Sequence, residues 1–77
     1  MLKDLVEFIA KSLVDDPGSV RTEEIEDERG SIIKLYVAKE DMGHVIGRNG
    51  RTAMAMRSVL SVASTKTNRQ TLLKIME

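Results

Sequence analysis

Two glycines that are separated by only two residues, Gly47 and Gly50, lie between two stretches of helical periodicity. The apolar residues before Gly47 have the spacing of a short amphipathic helix, and those from Gly50 to about Ser64 have the spacing of a longer one. Glycine readily adopts the left-handed backbone conformation that ends many helices. The sequence therefore predicts two helices joined by a tight corner, and this corner constrains the rest of the fold.

The stretch before the corner predicts one helix and two strands. Apolar residues recur at the spacing of one buried helical stripe, namely Leu2, Leu5, Val6, Ile9 and Leu13. Asp16-Pro17-Gly18 ends this helix, because proline disfavours a helical residue before it and glycine turns freely. Residues 20–27 and 31–37 then predict two strands, and the Glu28-Arg29-Gly30 turn between them predicts an antiparallel hairpin.

The two strands differ in how clearly they alternate. The second places Ile33, Leu35 and Val37 on one face. The first lacks strict alternation, which is compatible with a bulge or an early end. Its apolar or β-favouring members are Val20, Thr22 and Ile25.

The helix pair and a last strand complete the pattern. Lys39-Glu40-Asp41 begins the short helix with acidic residues, which the helix dipole favours in a first turn. The apolar face of the short helix is Met42, Val45 and Ile46, and that of the longer one is Ala53, Met56, Leu60 and Ala63, with Val59 beside them. Residues 65–69 predict a turn, and residues 71–76 predict a strand with Leu73 and Ile75 inward.

The predicted order is helix, strand, strand, helix, helix, strand. This order favours an α+β fold in which a three-stranded sheet carries the helices on one face. A chain of 77 residues has room for one domain, residues 1–77. We expect its core to contain Leu5, Ile9, Ile33, Leu35, Val37, Leu60 and Leu73.

Composition excludes several classes of site. The absence of cysteine excludes disulfides and thiolate chemistry, and a single histidine cannot form a multi-histidine metal site, so we expect no metal centre and no cofactor. No apolar run has the length of a membrane span. The first fourteen residues carry Asp4, Glu7 and Lys11, which is unlike a signal peptide. A cytoplasmic protein is therefore expected.

The formal net charge is zero, but the charges are unevenly distributed. Residues 1–42 contain six Lys or Arg against eleven Asp or Glu, whereas residues 43–77 contain six against one. Such asymmetry indicates either an anionic partner for the basic half or ion pairing between the two halves.

The corner itself has the composition of a phosphate-binding loop. Glycines without β-carbons allow a sugar–phosphate chain to approach the main chain closely. The second helix would present unpaired N–H groups and the positive end of its dipole. Its first turn carries Arg51 and Thr52 rather than a carboxylate, and Arg48 adds a charge at the tip. The alternative is a helical corner whose glycines serve only the turn.

The segment Ile46-Gly47-Arg48-Asn49-Gly50, placed between two helices after a hairpin and before a strand, resembles the G-x-x-G loop of K-homology (KH) RNA-binding domains. The element order is similar to the type II KH topology. The whole chain resembles the small stand-alone bacterial KhpA family, including the Asp16-Pro17-Gly18 turn and the Glu40-Asp41-Met42-Gly43 segment.

This resemblance implies a non-enzymatic protein that clamps about four nucleotides of single-stranded RNA. Gly47, Arg48, Asn49 and Gly50 would clamp the backbone, with Arg51 and Thr52 after them. Val45 and Ile46 would contribute to an apolar groove. Leu35 and Val37 would either form its far wall or lie wholly in the core. The resemblance also implies a cytoplasmic RNA chaperone that forms a homodimer or pairs with a Jag-type KH protein (KhpB), with a role in cell elongation and peptidoglycan homeostasis.

Other functions remain open from the residues alone. The same fold could serve as a protein-interaction adaptor, or could bind single-stranded DNA or a ribosome. A hydrolase is the least favoured class, because no nucleophile, base and acid are grouped in the sequence. Phe8 and Tyr36 are the only aromatic residues, so aromatic stacking of bases is nearly excluded and weak, sequence-tolerant binding is expected.

Three further features have simpler interpretations. The acidic run at residues 23–28 is typical of a solvated strand edge that repels other strands. His44 is expected at a helix surface. Met54 and Ala55 lie off the apolar stripe of the longer helix, where they could form a dimer contact or pack against the first helix.

Overall fold

The computed structural model describes residues 2–66 and 69–76. Its elements occur in the predicted order: α1 (Leu2–Leu13), β1 (Arg21–Glu26), β2 (Gly30–Tyr36), α2 (Met42–Ile46), α3 (Arg51–Thr65) and β3 (Gln70–Met76). Short 3₁₀ turns lie at Pro17–Ser19, Lys39–Asp41 and Arg48–Gly50. None of the helices in these ranges is long and apolar enough to cross a membrane. The predicted 65–69 turn begins later than expected, and its residues 67 and 68 lie outside the described residues.

The sheet has the strand order β1-β2-β3. Strands β1 and β2 form the predicted antiparallel hairpin, in which pairing runs from Arg21 opposite Tyr36 to Glu26 opposite Ser31. Because this pairing is continuous, β1 contains no bulge between Arg21 and Glu26. Strands β2 and β3 are parallel, and Ile33 pairs with Leu73. A parallel pair needs a long crossover connection, which here is the α2–α3 pair.

The core lies between one face of the sheet and the helices. Its sheet residues include Ile33, Leu35 and Leu73, and the helices cover them with the buried residues Val6, Ala10, Val45, Met56 and Leu60. The opposite face of the sheet exposes Ile25, Ile32 and Leu72. The expected α+β arrangement, with helices on one face only, is therefore confirmed.

The predicted core differs from the observed one along α1. Leu5 is 37% exposed and Leu13 is also exposed, so the prediction that Leu5 is buried is wrong. The buried line of the helix runs through Val6 and Ala10, with Ile9 half-buried beside it. Leu5 lies one residue, about 100° of helical rotation, from Val6, which places it at the margin of the buried face.

A buried carboxylate connects the start of α2 to the turn that follows α1. Asp41 is only 2% exposed. Its two oxygens accept the backbone N–H groups of Asp15 and Asp16, each at 3.0 Å. The sequence predicted Asp41 as a helix-dipole residue, but its side chain makes no cap hydrogen bond to α2. It instead holds together two segments that are distant in sequence.

We predict that Asp41→Ala lowers the free energy of unfolding by about 1–3 kcal/mol, because two part-buried backbone donors lose their acceptor. Urea denaturation followed by circular dichroism measures this change. Glu40→Ala is the matched control, because Glu40 is exposed and adjacent. Equal stability of the two variants would contradict the structural role of Asp41.

Candidate nucleic-acid interface

The predicted corner between the two helices is present, and its backbone is unusual. Helix α2 ends at Ile46, and Gly47 has φ 79° and ψ 170°. Asn49 and Gly50 also have positive φ, at 57° and 75°. The N–H of Gly50 donates to the carbonyl of Gly47 at 3.1 Å. Three of the four loop residues thus adopt positive φ, which lets the chain reverse within a single 3₁₀ turn before α3 begins at Arg51.

The two glycines have different surroundings. A β-carbon on Gly47 would overlap Thr52, lying 2.7 Å from its β-carbon and 2.8 Å from its backbone nitrogen. A β-carbon on Gly50 would meet nothing within 4 Å. Gly47 therefore lets the loop close onto α3, whereas Gly50 leaves open space at the N-terminus of that helix. Gly50 is the glycine past which a ligand can approach the main chain.

A groove of about 460 Å³ begins at this loop and runs between the helix pair and β3. Its lining residues come from α2, the loop, α3 and β3 and are mainly aliphatic or basic: Met42, Ile46, Gly50, Ala53, Met54, Arg57, Leu73, Lys74 and Ile75. The helix pair forms one wall and the strand forms the other. The groove is therefore open at the surface, and its most buried lining residues, Ala53 and Leu73, are apolar.

Of the residues predicted for the groove, the structure places some in its lining and others in the core. Ile46 lines the groove. Val45 is fully buried and supports α2 from beneath, so it is not part of the lining. Leu35 and Val37 are buried in the core, so of the two positions considered for them the structure shows the core and not the far wall. The far wall is β3, because β3 rather than β2 is the strand at this edge of the sheet.

Several lining residues were not predicted from the sequence, although the helical spacing of some of them indicated a shared face. Gly50, Met54 and Arg57 are spaced by four and three residues, which places them on one face of α3. That face is distinct from the buried stripe of α3, which explains why Met54 did not fit the predicted apolar stripe. Lys74 and Ile75 carried no such signal, because their position depends on how β3 pairs.

The surroundings of the groove are basic. Arg48, Arg51, Arg57 and Lys74 are exposed, and residues 42–76 contain no Asp or Glu. Within the described ranges, no Lys or Arg of this half forms an ion pair. In the part of the chain that the structure describes, the basic side chains of the second half are thus not held in ion pairs with the acidic first half.

The acidic run begins on β1, at the edge of the sheet opposite to β3. Strand β1 carries Glu23, Glu24 and Glu26 and is separated from β3 by β2. The charge asymmetry of the sequence is therefore also an asymmetry in space, with the groove at the basic edge. The aromatic residues lie elsewhere too. The guanidinium carbon of Arg21 is 4.9 Å from the ring centroid of Tyr36, and Phe8 is exposed on α1.

Two helices joined by a G-x-x-G turn beside an apolar groove define the nucleic-acid-binding module called the K-homology domain. The structure has this KH-type fold. A family model described as "KhpA/KhpB, KH domain" matches residues 3–75. The chain belongs to this family.

Relatives of similar length support the assignment. The "RNA-binding protein KhpA" of Halalkalibacterium halodurans is 49% identical, over 99% of this chain and 100% of that protein. The protein of the same name from Clostridium acetobutylicum is 47% identical, over 96% of this chain and 99% of that protein. That from Aquifex aeolicus is 43% identical, over 99% of this chain and 96% of that protein.

The different surroundings of the two glycines predict different costs of substitution. Gly47→Ala should lower the free energy of unfolding by about 2–4 kcal/mol, because the new methyl group overlaps Thr52 and φ stays positive. Gly50→Ala should cost about 1–2 kcal/mol, since only the left-handed conformation is unfavourable there. Urea denaturation of both variants measures the difference. A loss at Gly50 as large as that at Gly47 would contradict the geometry of the loop.

Proposed function

We propose that this protein binds single-stranded RNA in the groove and performs no catalytic step. The observation that carries this proposal is the combination of an apolar groove with a carboxylate-free basic rim and an open glycine at the start of α3. Phosphates are attracted by the rim and by the helix N-terminus. Bases attached to those phosphates find an aliphatic surface in the groove. The relatives are named for RNA binding, which supports the same function.

Each part of the site has a separate role in this proposal. Gly50 admits the sugar–phosphate chain to the loop, and Arg48 and Asn49 contact it from the tip. Arg51 and Thr52 follow in the first turn of α3. The groove beyond the loop holds the bases against Ile46 and the strand β3, and Arg57 and Lys74 supply hydrogen-bond donors and charge along its sides.

The aliphatic lining affects affinity and selectivity. Stacking of bases on aromatic rings contributes about 1–3 kcal/mol per base in other single-strand binders, and no aromatic residue lines this groove. A KH module also contacts only about four nucleotides. We therefore expect weak, sequence-tolerant binding that is strengthened when two modules act together.

The test of RNA binding is a titration of short RNA oligomers at several salt concentrations. Arg48→Ala should weaken binding to all sequences similarly and lower the salt slope by about one unit, because one phosphate contact is lost. Arg48→Asp combined with Gly50→Asp should abolish binding, since it places two carboxylates where a phosphate would lie. Arg29→Asp, on the β1–β2 turn outside the groove, is the matched control and should retain binding.

Circular dichroism must show that each variant is folded. A folded double variant that binds RNA as well as the unsubstituted protein would contradict the G-x-x-G interpretation and would favour a protein-interaction adaptor. Equal or tighter binding of single-stranded DNA of the same sequence would favour a DNA-binding module, since only 2′-hydroxyl contacts distinguish the two ligands.

We propose that two copies of the chain associate through the outer face of α3. Val59 is 46% exposed and Val62 is 66% exposed on this helix. No charged residue lies between Arg57 and Lys66, so the helix is uncharged over more than two turns, with the two exposed valines flanked by small hydroxyl residues. Such a face fits another copy of itself, or the Jag-type KH protein as a competing partner. Association of either kind would supply the second binding module.

This interface predicts that Val62→Glu lowers self-association, because it buries a charge in an apolar contact. Sedimentation velocity at micromolar concentration, alone and mixed with the Jag-type protein, measures the effect. Phe8→Glu is the matched control, because Phe8 is equally exposed but lies on α1. A monomer in both mixtures would contradict association, and a larger effect of Phe8→Glu would place the interface on α1.

The biological setting is part of the same proposal. RNA binding of low sequence selectivity suits an RNA chaperone or post-transcriptional regulator in the bacterial cytoplasm. We propose that the protein acts there with the Jag-type partner in cell elongation and peptidoglycan homeostasis.

A further inference from the structure

A second cluster of polar side chains lies outside the groove, where the turn after α1 meets α2. Asp15 comes from the turn, Asp41 precedes α2, and His44 lies on α2. The Nε2 atom of His44 is 3.5 Å from Oδ2 of Asp15 and 3.9 Å from Oδ1 of Asp41. One ligand atom from each of the three residues lies within 4.8 Å of the others. We propose that these three residues bind a zinc ion.

The two histidine-to-carboxylate separations are close to those that zinc requires. The third separation, between the carboxylate oxygens of Asp15 and Asp41, is within 4.8 Å. Ligand atoms about 2.1 Å from a tetrahedral zinc ion lie about 3.4 Å from one another. The histidine-to-carboxylate distances need to change by only a few tenths of an ångström to reach this value. Asp15 and His44 are both exposed, so their side chains are able to adjust and the site is open to solvent. A water molecule would complete the coordination.

Asp41 gives this site a fixed component. Its carboxylate is held by the backbone N–H groups of Asp15 and Asp16, each at 3.0 Å. A carboxylate oxygen that accepts one hydrogen bond retains a further lone pair. Hydrogen bonds to a ligating carboxylate are typical of metal sites, because they fix its orientation. The same contact positions Asp15, because its backbone N–H donates to Asp41 while its own carboxylate lies near His44.

The set of donors selects the kind of metal. Magnesium and calcium prefer oxygen ligands alone, whereas an imidazole nitrogen suits zinc and other transition metals such as copper and nickel. No Lys or Arg in the described ranges forms an ion pair with Asp15 or Asp41, so no side-chain cation competes for the two carboxylates there. The nearby Asp16 is engaged elsewhere, since its Oδ2 accepts the hydroxyl of Ser19 at 2.6 Å.

The position of the site gives zinc a structural consequence. His44 lies on the same short helix that ends at Ile46, immediately before the loop. A zinc ion would link this helix to the turn after α1, two segments that Asp41 already connects. Binding would therefore stabilise the fold where the loop begins. This inference does not depend on RNA binding, and either proposal can fail without the other.

The test uses the full chain without an affinity tag. His44 is the only histidine in the sequence, so the imidazole signals in an NMR spectrum belong to it alone. We expect stoichiometric zinc chloride at neutral pH to shift these signals and to raise the melting temperature. Asp15→Ala should weaken zinc binding roughly tenfold or more. Asp16→Ala removes a carboxylate from the same turn and should leave zinc binding unchanged.

Several results would overturn the proposal. Imidazole signals that stay unchanged in excess zinc would show that His44 is not a ligand. Equal zinc affinity of Asp15→Ala and the unsubstituted protein would exclude the triad, as would an equal loss in Asp16→Ala. Displacement of zinc by a modest excess of magnesium would show only general attraction of cations to carboxylates.

Discussion

The parallel pairing of β2 with β3 is the constraint on which the site depends. Parallel strands cannot be joined by a tight turn, so the chain must cross over the sheet between them. The helix pair with its G-x-x-G corner is that crossover. It packs on the face of the sheet that carries the buried residues Ile33 and Leu73. The groove forms because the returning strand lies directly beside the helices that precede it. Gly30 permits this pairing, since a β-carbon there would overlap the backbone of Gln70.

The strand order also determines the electrostatics. Because β1 and β3 occupy opposite edges, the carboxylates of β1 are kept away from the groove. Arg57 and Lys74 line the groove and Arg48 and Arg51 are exposed at its loop, and no acidic side chain lines it. A neutral protein can thus present a positive field on one side, and a polyanion would be attracted to that side and repelled from the other.

Local patterns explain which features were predictable from the sequence. The helix pair, the hairpin and the corner at Gly47 follow from periodicity and glycine placement, which are properties of neighbouring residues. The groove wall at Lys74 was not predicted, because it depends on the pairing of β3 with a distant strand. The role of Asp41 was missed for the same reason, since its backbone partners lie 25 and 26 residues away. Leu5 shows that periodicity finds a helical face but leaves its rotation toward the sheet undetermined.

Mapping of backbone amide shifts by NMR tests the central claim most directly. A short single-stranded RNA added to ¹⁵N-labelled protein should shift the amides of Gly50 to Ala53 and of Lys74 and Ile75, which line the loop and the groove. The amides of Glu23 to Glu26 on β1 should stay unchanged. Shifts concentrated on β1 or on the open face of the sheet, with the loop unaffected, would contradict RNA binding at the G-x-x-G corner.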